Sequence, residues 1–296
     1  MIKFINAKIN IGLYITGERA DGYHNLQTVF YPVGLECGLP HQAQAFDDIL
    51  EIVNDPSGMS GCRFQFMGRK INCEPEKNLV VKATRRFLRK FMEKGGDLEK
   101  YGMFELILDK HLPDGAGLGG GSADAAFTIK TLNEITGELF TDRELKEIAV
   151  SLGADCPFFL ENRPCYAEGI GEILTPIELH LPGVSILIVK PPVFVSTKEA
   201  FEGVDIRKPD FDLRKLPELP LEEWKDKVFN DFETTVFQKH PELKKIKEEL
   251  YAQGAVYASM SGSGSALYGL FKDKGTSFSA RDKFLSTYSD VWLFGL

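Results

Sequence analysis

Apolar and polar side chains alternate near the start of the chain. Ile9, Ile11, Leu13 and Ile15 fall on one side of an extended backbone, and Lys8, Asn10, Gly12 and Tyr14 on the other. A period of two predicts a strand over Ile2–Thr16 with one buried face. It also puts Lys8 and Asn10 on the same side, about 7 Å apart by strand rise. The polar run Gly17–Gly22 reads as a turn into a second strand, Leu26–Val33, so a hairpin or meander opens the protein. Short strands are predicted over 50–53 and 64–67, and an apolar one over Phe104–Leu108. Between them the period changes to that of a helix over Asn78–Phe91, with Val80, Thr84, Phe87 and Phe91 on one stripe and basic residues on the other. A helix is predicted over Ser122–Ile135 with Ala125, Ile129 and Leu132 inward. Thr141 and Glu144 form a capping box for the next helix, which carries Leu145, Ile148 and Leu152 and stops near Gly153.

In the second half, Val184–Val189 reads as a strand and His240–Ala252 as a helix ended by Gly254. Two strands flank the Ser-Gly-Ser-Gly-Ser run at 261–265. The stretch 205–220, rich in proline and charge, reads as an insertion or long connection. Strands and helices in blocks indicate an α+β or two-layer fold instead of a regular βαβ array.

Composition narrows the class. The 296 residues are 43% hydrophobic and 26% charged, a globular balance, and suffice for two domains. A formal charge of −8 argues against non-specific nucleic-acid or anionic-membrane binding, although a local cationic pocket still accepts a small anion. The cysteines Cys37, Cys62, Cys73, Cys156 and Cys165 are odd in number and form no CxxC pair, which points to free thiols in a reducing cytosol. Residues 1–10 have no apolar stretch behind Lys3 and Lys8, and no apolar run reaches the ~18 residues a membrane span needs, so a cytoplasmic enzyme is expected.

Residues 113–126 read Pro-Asp-Gly-Ala-Gly-Leu-Gly-Gly-Gly-Ser-Ala-Asp-Ala-Ala. Gly115, Gly117 and Gly120 satisfy the GxGxxG spacing. A dinucleotide-binding unit, however, needs a second strand and an acidic residue about 20 residues on, and here a second helix follows. Nor is this a Walker A loop, since Gly121 stands where its lysine would be. Successive glycines let backbone N–H groups converge without Cβ clashes, and the loop feeds a helix N-terminus, which favours phosphate. Such a run costs too much chain entropy for a mere turn. Ser122 either caps the helix or reaches a phosphate-bound Mg²⁺.

This loop resembles the phosphate-binding motif of the GHMP kinases, and Ser261–Ser265 is similar to the C-terminal glycine motif of that superfamily. The stretches Ala-Lys-Ile-Asn-Ile-Gly-Leu at 7–13, Arg-Ala-Asp-Gly-Tyr-His-Asn-Leu-Gln-Thr at 19–28 and Leu-Gly-Ala-Asp-Cys-Pro-Phe-Phe-Leu at 152–160 resemble the branch acting on diphosphocytidyl-methylerythritol, in the non-mevalonate route to isoprenoid precursors. The resemblance implies a two-domain fold, with an ATP-binding domain over 1–160 built on a mixed sheet, a substrate-binding domain over 161–296, and the active site in the cleft between them. It implies ATP and Mg²⁺ as cofactors, with Pro113, Asp114, Gly115, Ala116, Gly117, Leu118, Gly119, Gly120, Gly121, Ser122 and Ala123 around the nucleotide. Lys8, Asn10 and Asp155 would line the transfer centre, with Lys8 and Asp155 catalytic. Tyr23 and His24 would hold cytosine, with Thr197 and Phe201 near the remaining substrate contacts. The partners would be small molecules only, with no nucleic acid and no membrane, and the chain a monomer or weak homodimer.

Each residue also has a plainer reading. Lys8 could snorkel at a surface, but an ATP enzyme without a Walker lysine needs a cation for the moving phosphoryl. Asp155, flanked by Gly153, Ala154 and an apolar run, fits a wall better than an exposed loop, where it would take the substrate hydroxyl's proton or orient that hydroxyl. Tyr23 and His24 either cover the hairpin or stack on and read a base. The 261–264 loop either joins two strands or closes a site. Asn78 is read as a helix cap in a region that borders the nucleotide. Two other functions stay open: a GHMP kinase for mevalonate or homoserine, which would have no base for Tyr23 and His24, and a nucleotide-binding regulator without catalysis, against which Lys8 and Asp155 argue.

Overall fold

The computed structural model describes residues 1–34, 46–71, 73–206 and 208–295. Cys37, one of the five expected free thiols, lies outside the described residues; Cys62, Cys73, Cys156 and Cys165 are in no disulfide. The first half runs β1 (Ile2–Ile5), β2 (Ala7–Glu18), β3 (His24–Val33), β4 (Asp48–Asp55), β5 (Gly61–Gly68), α1 (Leu79–Glu93), β6 (Met103–Lys110), α2 (Gly120–Ile135), α3 (Asp142–Val150) and α4 (Cys156–Glu161). The second half runs β7 (Cys165–Glu168), β8 (Ile173–Pro176), β9 (Ser185–Lys190), α5 (Thr197–Phe201), α6 (Trp224–Lys227), α7 (Phe232–Lys239), α8 (Pro241–Ala252), β10 (Tyr257–Met260), β11 (Leu267–Phe271), α9 (Lys274–Leu285) and β12 (Asp290–Gly295). The fold is α+β.

The described residues form two compact units, and neither is continuous in sequence. One holds 1–7, 46–114 and 119–162; the other holds 8–34, 115–118 and 163–295. The division differs from a single cut near residue 160 because β3 pairs with β7, at Phe30 and Cys165, which draws the opening hairpin into the later unit.

The first unit is a mixed four-stranded sheet, ordered β1-β4-β6-β5, with helices α1 to α4. β4 is antiparallel to β1 and β6, whereas β5 and β6 run parallel and are joined through α1, as a parallel pair requires a crossover. Alternation in β6 buries Phe104, Leu106 and Leu108. The stripe Val80, Thr84, Phe87 and Phe91 of α1 is buried as its period predicts, and Asn78 caps the helix by accepting from the Val80 N–H. The capping box of α3 is present.

The second unit holds two four-stranded sheets, β2-β3-β7-β8 and β10-β11-β9-β12. Its core joins Leu13 and Ile15 to Leu187, Val189, Leu243, Ile246, Leu250 and Leu267. α8 supplies Leu243, Ile246 and Leu250 from one face.

Four features depart from the sequence reading. Asn6 divides the first predicted strand into β1 and β2. β2 is buried on both faces from Ala7 to Ile15, so the Lys8–Asn10 side is enclosed and Lys8 does not snorkel. The 205–220 stretch, read as an insertion or long connection, contains a packed 3-10 turn, Leu213–Glu218. Leu213 and Leu216 of its 3-10 turn are fully buried, and a Cβ at Gly12 would lie 2.7 Å from Leu213. Finally, α2 starts at Gly120, capped by Gly119, not at Ser122.

Candidate active site

In the second unit, β2 carries Lys8 and Asn10 into a buried polar network. Lys8 is 3% exposed. Its Nζ donates to Asn10 Oδ1 at 2.6 Å and lies 4.9 Å from the centroid of the Phe30 ring. Asn10 Nδ2 donates to Thr28 Oγ1 at 3.0 Å, and the Thr28 hydroxyl donates to the Gly12 carbonyl at 2.5 Å. The amide of Asn10 is thereby fixed with its oxygen toward the ammonium. The Asn10 backbone is held as well, its N–H donating to Ser261 Oγ and its carbonyl accepting from Tyr268 Oη.

The same strand meets residues 115–118 of the glycine-rich loop. The Lys8 N–H donates to the Leu118 carbonyl at 3.0 Å, and Ser261 Oγ donates to the Gly117 carbonyl at 2.8 Å. Gly115, Gly117 and Gly119 all have positive φ, near 61°, 74° and 74°, a region that side chains with a Cβ avoid. A Cβ on Gly117 would lie 1.9 Å from the Ser261 carbonyl oxygen, so that glycine is also required by close approach. Asn230 holds the second glycine loop by donating to the Met260 and Gly262 carbonyls, both at 2.8 Å.

In the first unit the loop becomes a helix. Gly119 brings no side chain to cap α2. The first N–H groups of a helix have no intrahelical partners, and with the helix dipole they favour an anion. Ser122 is the third helical residue, so Gly119 and not Ser122 stands at the cap. Burial pushes the Cys156 thiol up to about 12, leaving it an inert thiol. Asp155 is the half-buried N-cap residue of α4, and its side chain makes no capping bond to that helix. An open groove of about 330 Å³ lies beside α1, lined by Phe66, Gly68, Lys70, Ile71, Pro75 and Asn78 among others.

His24 and Phe201 of the second unit stack face to face, with centroids 4.6 Å apart and planes 20° from parallel. Phe201 in turn meets the ring of Phe232 edge-on. Tyr23 is 60% exposed at the end of a turn wound on its own bonds. The Arg19 N–H donates to the Tyr23 carbonyl, and Asp21 accepts from both the Tyr23 N–H and the Arg19 guanidinium. That pairing, led by the Arg19 hydrogen bond, holds the Asp21 carboxyl below its ordinary range. Thr197 is exposed at the start of α5, which Ser196 caps.

The structure thus groups Lys8 with Asn10, residues 115–118 with both, and His24 with Phe201. Pro113, Asp114, Gly119–Ala123 and Asp155 belong to the first unit. Sequence reasoning missed Thr28, Asn230 and Tyr268, whose roles depend on partners far along the chain. It also missed Asp48, Lys110 and Asp124, buried together in the first unit. Lys110 continues the inward series Phe104, Leu106, Leu108, and a charge on an apolar face was the available signal. Among the described residues no group of three His, Cys, Asp or Glu is arranged to hold a metal, and no helix is long and apolar enough to cross a membrane.

Two family models match the chain: GHMP kinases N terminal domain over 78–162 and GHMP kinases C terminal over 213–290. The chain belongs to the GHMP kinases and is an ATP-dependent phosphotransferase. It is 49% identical over 276 residues to 4-diphosphocytidyl-2-C-methyl-D-erythritol kinase of Bacteroides thetaiotaomicron, covering 93% of this chain and 94% of the relative. A crystal structure of 4-(cytidine 5'-diphospho)-2C-methyl-D-erythritol kinase, 29% identical, superposes with a TM-score of 0.80 over 100% of this chain and 98% of that one. Homoserine kinase from Cytophaga hutchinsonii, 16% identical over 98% of this chain and 94% of its own, shares the fold at a TM-score of 0.67. Within the superfamily, the full-length relatives place the chain with the 4-diphosphocytidyl-2-C-methyl-D-erythritol kinases.

Proposed function

We propose that the chain transfers the γ-phosphoryl of ATP to the 2-hydroxyl of 4-diphosphocytidyl-2-C-methyl-D-erythritol, in the cytoplasm, as a step of the non-mevalonate route to isoprenoid precursors. The observation that carries the acceptor is the His24–Phe201 stack with Tyr23 exposed beside it on the chain, in the unit that also buries Lys8 and Asn10. Flat rings and a histidine edge suit a cytosine, and neither mevalonate nor homoserine offers a base to stack. His24 and Thr28 lie on one face of β3, four residues and so ~13 Å apart. A base at His24 and a hydroxyl near the Asn10–Thr28 pair would be spanned by the ribose and diphosphate between them.

On the nucleotide side, the N–H groups of residues 115–121 and the open N-terminus of α2 receive the phosphates, and the groove beside α1 receives the adenine. Ser122 would be the residue to hold an Mg²⁺ that arrives with the nucleotide, since that ion is rarely held by an all-protein cage. When bound it neutralises phosphate charge. Lys8 meets the charge that builds on the moving phosphoryl, while Asn10, locked by Lys8 and Thr28, accepts or donates to the acceptor. Asp155 hydrogen-bonds the hydroxyl and takes its proton as the oxygen bonds to phosphorus and the bond to the departing ADP breaks.

The test is a substrate screen. Purified protein with ATP and Mg²⁺ is offered diphosphocytidyl-methylerythritol, mevalonate and homoserine, and ADP release is followed. Turnover with the cytidine compound alone is expected. Turnover with either small alcohol, or with none of the three, overturns the proposal.

A further inference from the structure

We infer that Lys110, Asp48 and Asp124 act together as positioning residues for nucleotide binding, fastening both ends of the first glycine-rich loop to a single buried ammonium. The inference rests on the ATP reading of that loop.

Asp48 opens β4 and Lys110 closes β6, and the register Ile49 to Asp109 places the two side by side where these strands end. Lys110 Nζ donates to Asp48 Oδ2 at 2.5 Å and to Asp124 Oδ2 at 2.7 Å. All three side chains are buried, at 2%, 0% and 3% exposure. The other oxygen of Asp48 accepts from the backbone N–H groups of His111 and Leu112, at 2.5 and 2.7 Å. Asp48 therefore holds the backbone that enters the loop. Asp124 sits in the second turn of α2, the helix that the loop enters. Residues 113–119 run between two anchors joined through Lys110. Gly120, the first helical residue, makes room for the cation, because a Cβ there would stand 3.1 Å from Lys110 Nζ.

Stability alone does not account for this arrangement. Desolvating three ionisable groups costs several kcal/mol each, and apolar replacements of buried ion clusters are often as stable or more so. What such a cluster adds is direction: every bond in it ends on the loop's entry, on the helix after it, or on the strand beside it. Fixing a loop in its binding conformation before the ligand arrives lowers the ordering cost of binding. The charge count supports the assignment. Two carboxylates and one ammonium would leave an excess negative charge near a phosphate site. Burial pushes the Asp124 carboxyl up against the pull of Lys110, which lessens that excess. Its Oδ1 is buried and has no hydrogen-bond partner, so this oxygen is not committed to a second cation.

The test uses the full chain and three variants: Lys110→Met, Asp124→Ala and Asp124→Asn. ADP affinity is measured by titration calorimetry with Mg²⁺, KM for the acceptor is measured in parallel, and folding is checked by thermal denaturation. Lys110→Met and Asp124→Ala are expected to weaken ADP binding roughly tenfold or more while the acceptor KM changes by less than about twofold. Asp124→Asn keeps an oxygen to accept from Lys110, so it should retain most of the ADP affinity. Folded variants with unchanged ADP affinity, equal losses for both substrates, or Asp124→Asn as weak as Asp124→Ala would overturn the inference. If Lys110→Met does not fold, the two Asp124 variants decide. Wild-type protein that fails to bind ADP would refute the ATP reading itself, which separates the two outcomes.

Discussion

The glycine-rich loop ahead of α2 and the one between β10 and β11 share a composition but engage their backbones differently. In the second loop the polar groups are largely taken: the Ser261 N–H donates to the Ala266 carbonyl, the Ala266 N–H to the Ala116 carbonyl and the Gly264 N–H to the Ser261 carbonyl, and Asn230 holds Gly262. The first loop ends in a helix whose cap residue has no side chain to offer, so its first N–H groups receive no side-chain cap there. Glycine serves close packing in one loop and access in the other. At Gly117 the two roles meet, where the first loop touches the carbonyl of Ser261. Composition alone would have assigned both loops the same task.

The largest effect expected lies beyond both loops. If the first loop only binds and Asp155 acts on the acceptor, Asp155→Asn should lower kcat by ~10²–10⁴ with ADP affinity nearly intact. Steady-state kinetics beside a binding titration separates the two, and a near wild-type kcat at saturating substrate would remove Asp155 from the mechanism. Gly117→Ala attacks the meeting point. A methyl 1.9 Å from a backbone oxygen, on a residue with φ near 74°, should cost about 2–4 kcal/mol of stability, read from denaturant unfolding. Gly121→Ala is its counterpart within the same loop. It is helical, its nearest neighbour for a Cβ is 3.7 Å away, and it should fold normally while raising the KM for ATP. If both alanines destabilise equally, the contrast between packing and access fails.

Tyr23→Ala tests specificity apart from phosphate. The loss should be ~1–3 kcal/mol in acceptor KM with little change for ATP, and equal changes would make Tyr23 structural. The smallest effect concerns neither loop. The Lys94 hydrogen bond, and then those of Thr141, hold the Glu144 carboxyl down to about 2, below its ordinary value. A depressed carboxyl stabilises the fold above its ordinary range and loses that contribution as pH falls toward about 2. Glu144→Gln should therefore flatten the acid side of a plot of melting temperature against pH without touching activity at neutral pH.

Much of this molecule was legible where the signal is local. The two-residue period gave β2, the stripe of Val80, Thr84, Phe87 and Phe91 gave α1, and Thr141 with Glu144 gave the start of α3. The glycine run marked the loop. What escaped depends on partners distant in sequence. Alternation in β2 suggested one wet face, but that side is enclosed, with Lys8 against the Phe30 ring and Asn10 bonded to Thr28. Leu213 looked like part of a loose connection because its partner, Gly12, lies two hundred residues earlier. The helix over 232–239 was missed because its buried residues are few and Pro241 starts a new helix at once. Asp48, Lys110 and Asp124 each stand on an inward face, but only the strand order brings them together.

The pairing of β3 with β7 also sets an order of events during synthesis. The hairpin that carries Lys8, Asn10, Tyr23 and His24 is made well before its neighbour strand, which is translated roughly 130 residues later, on the order of 10 s at ordinary elongation rates. In that interval residues 46–162, nearly all of the first unit, are made and have their own sheet partners available. The nascent chain therefore completes its inner segment while the ends that flank it wait, with an apolar hairpin uncovered. That hairpin is made before the first unit and finished after it, so dependence on chaperones should concentrate there.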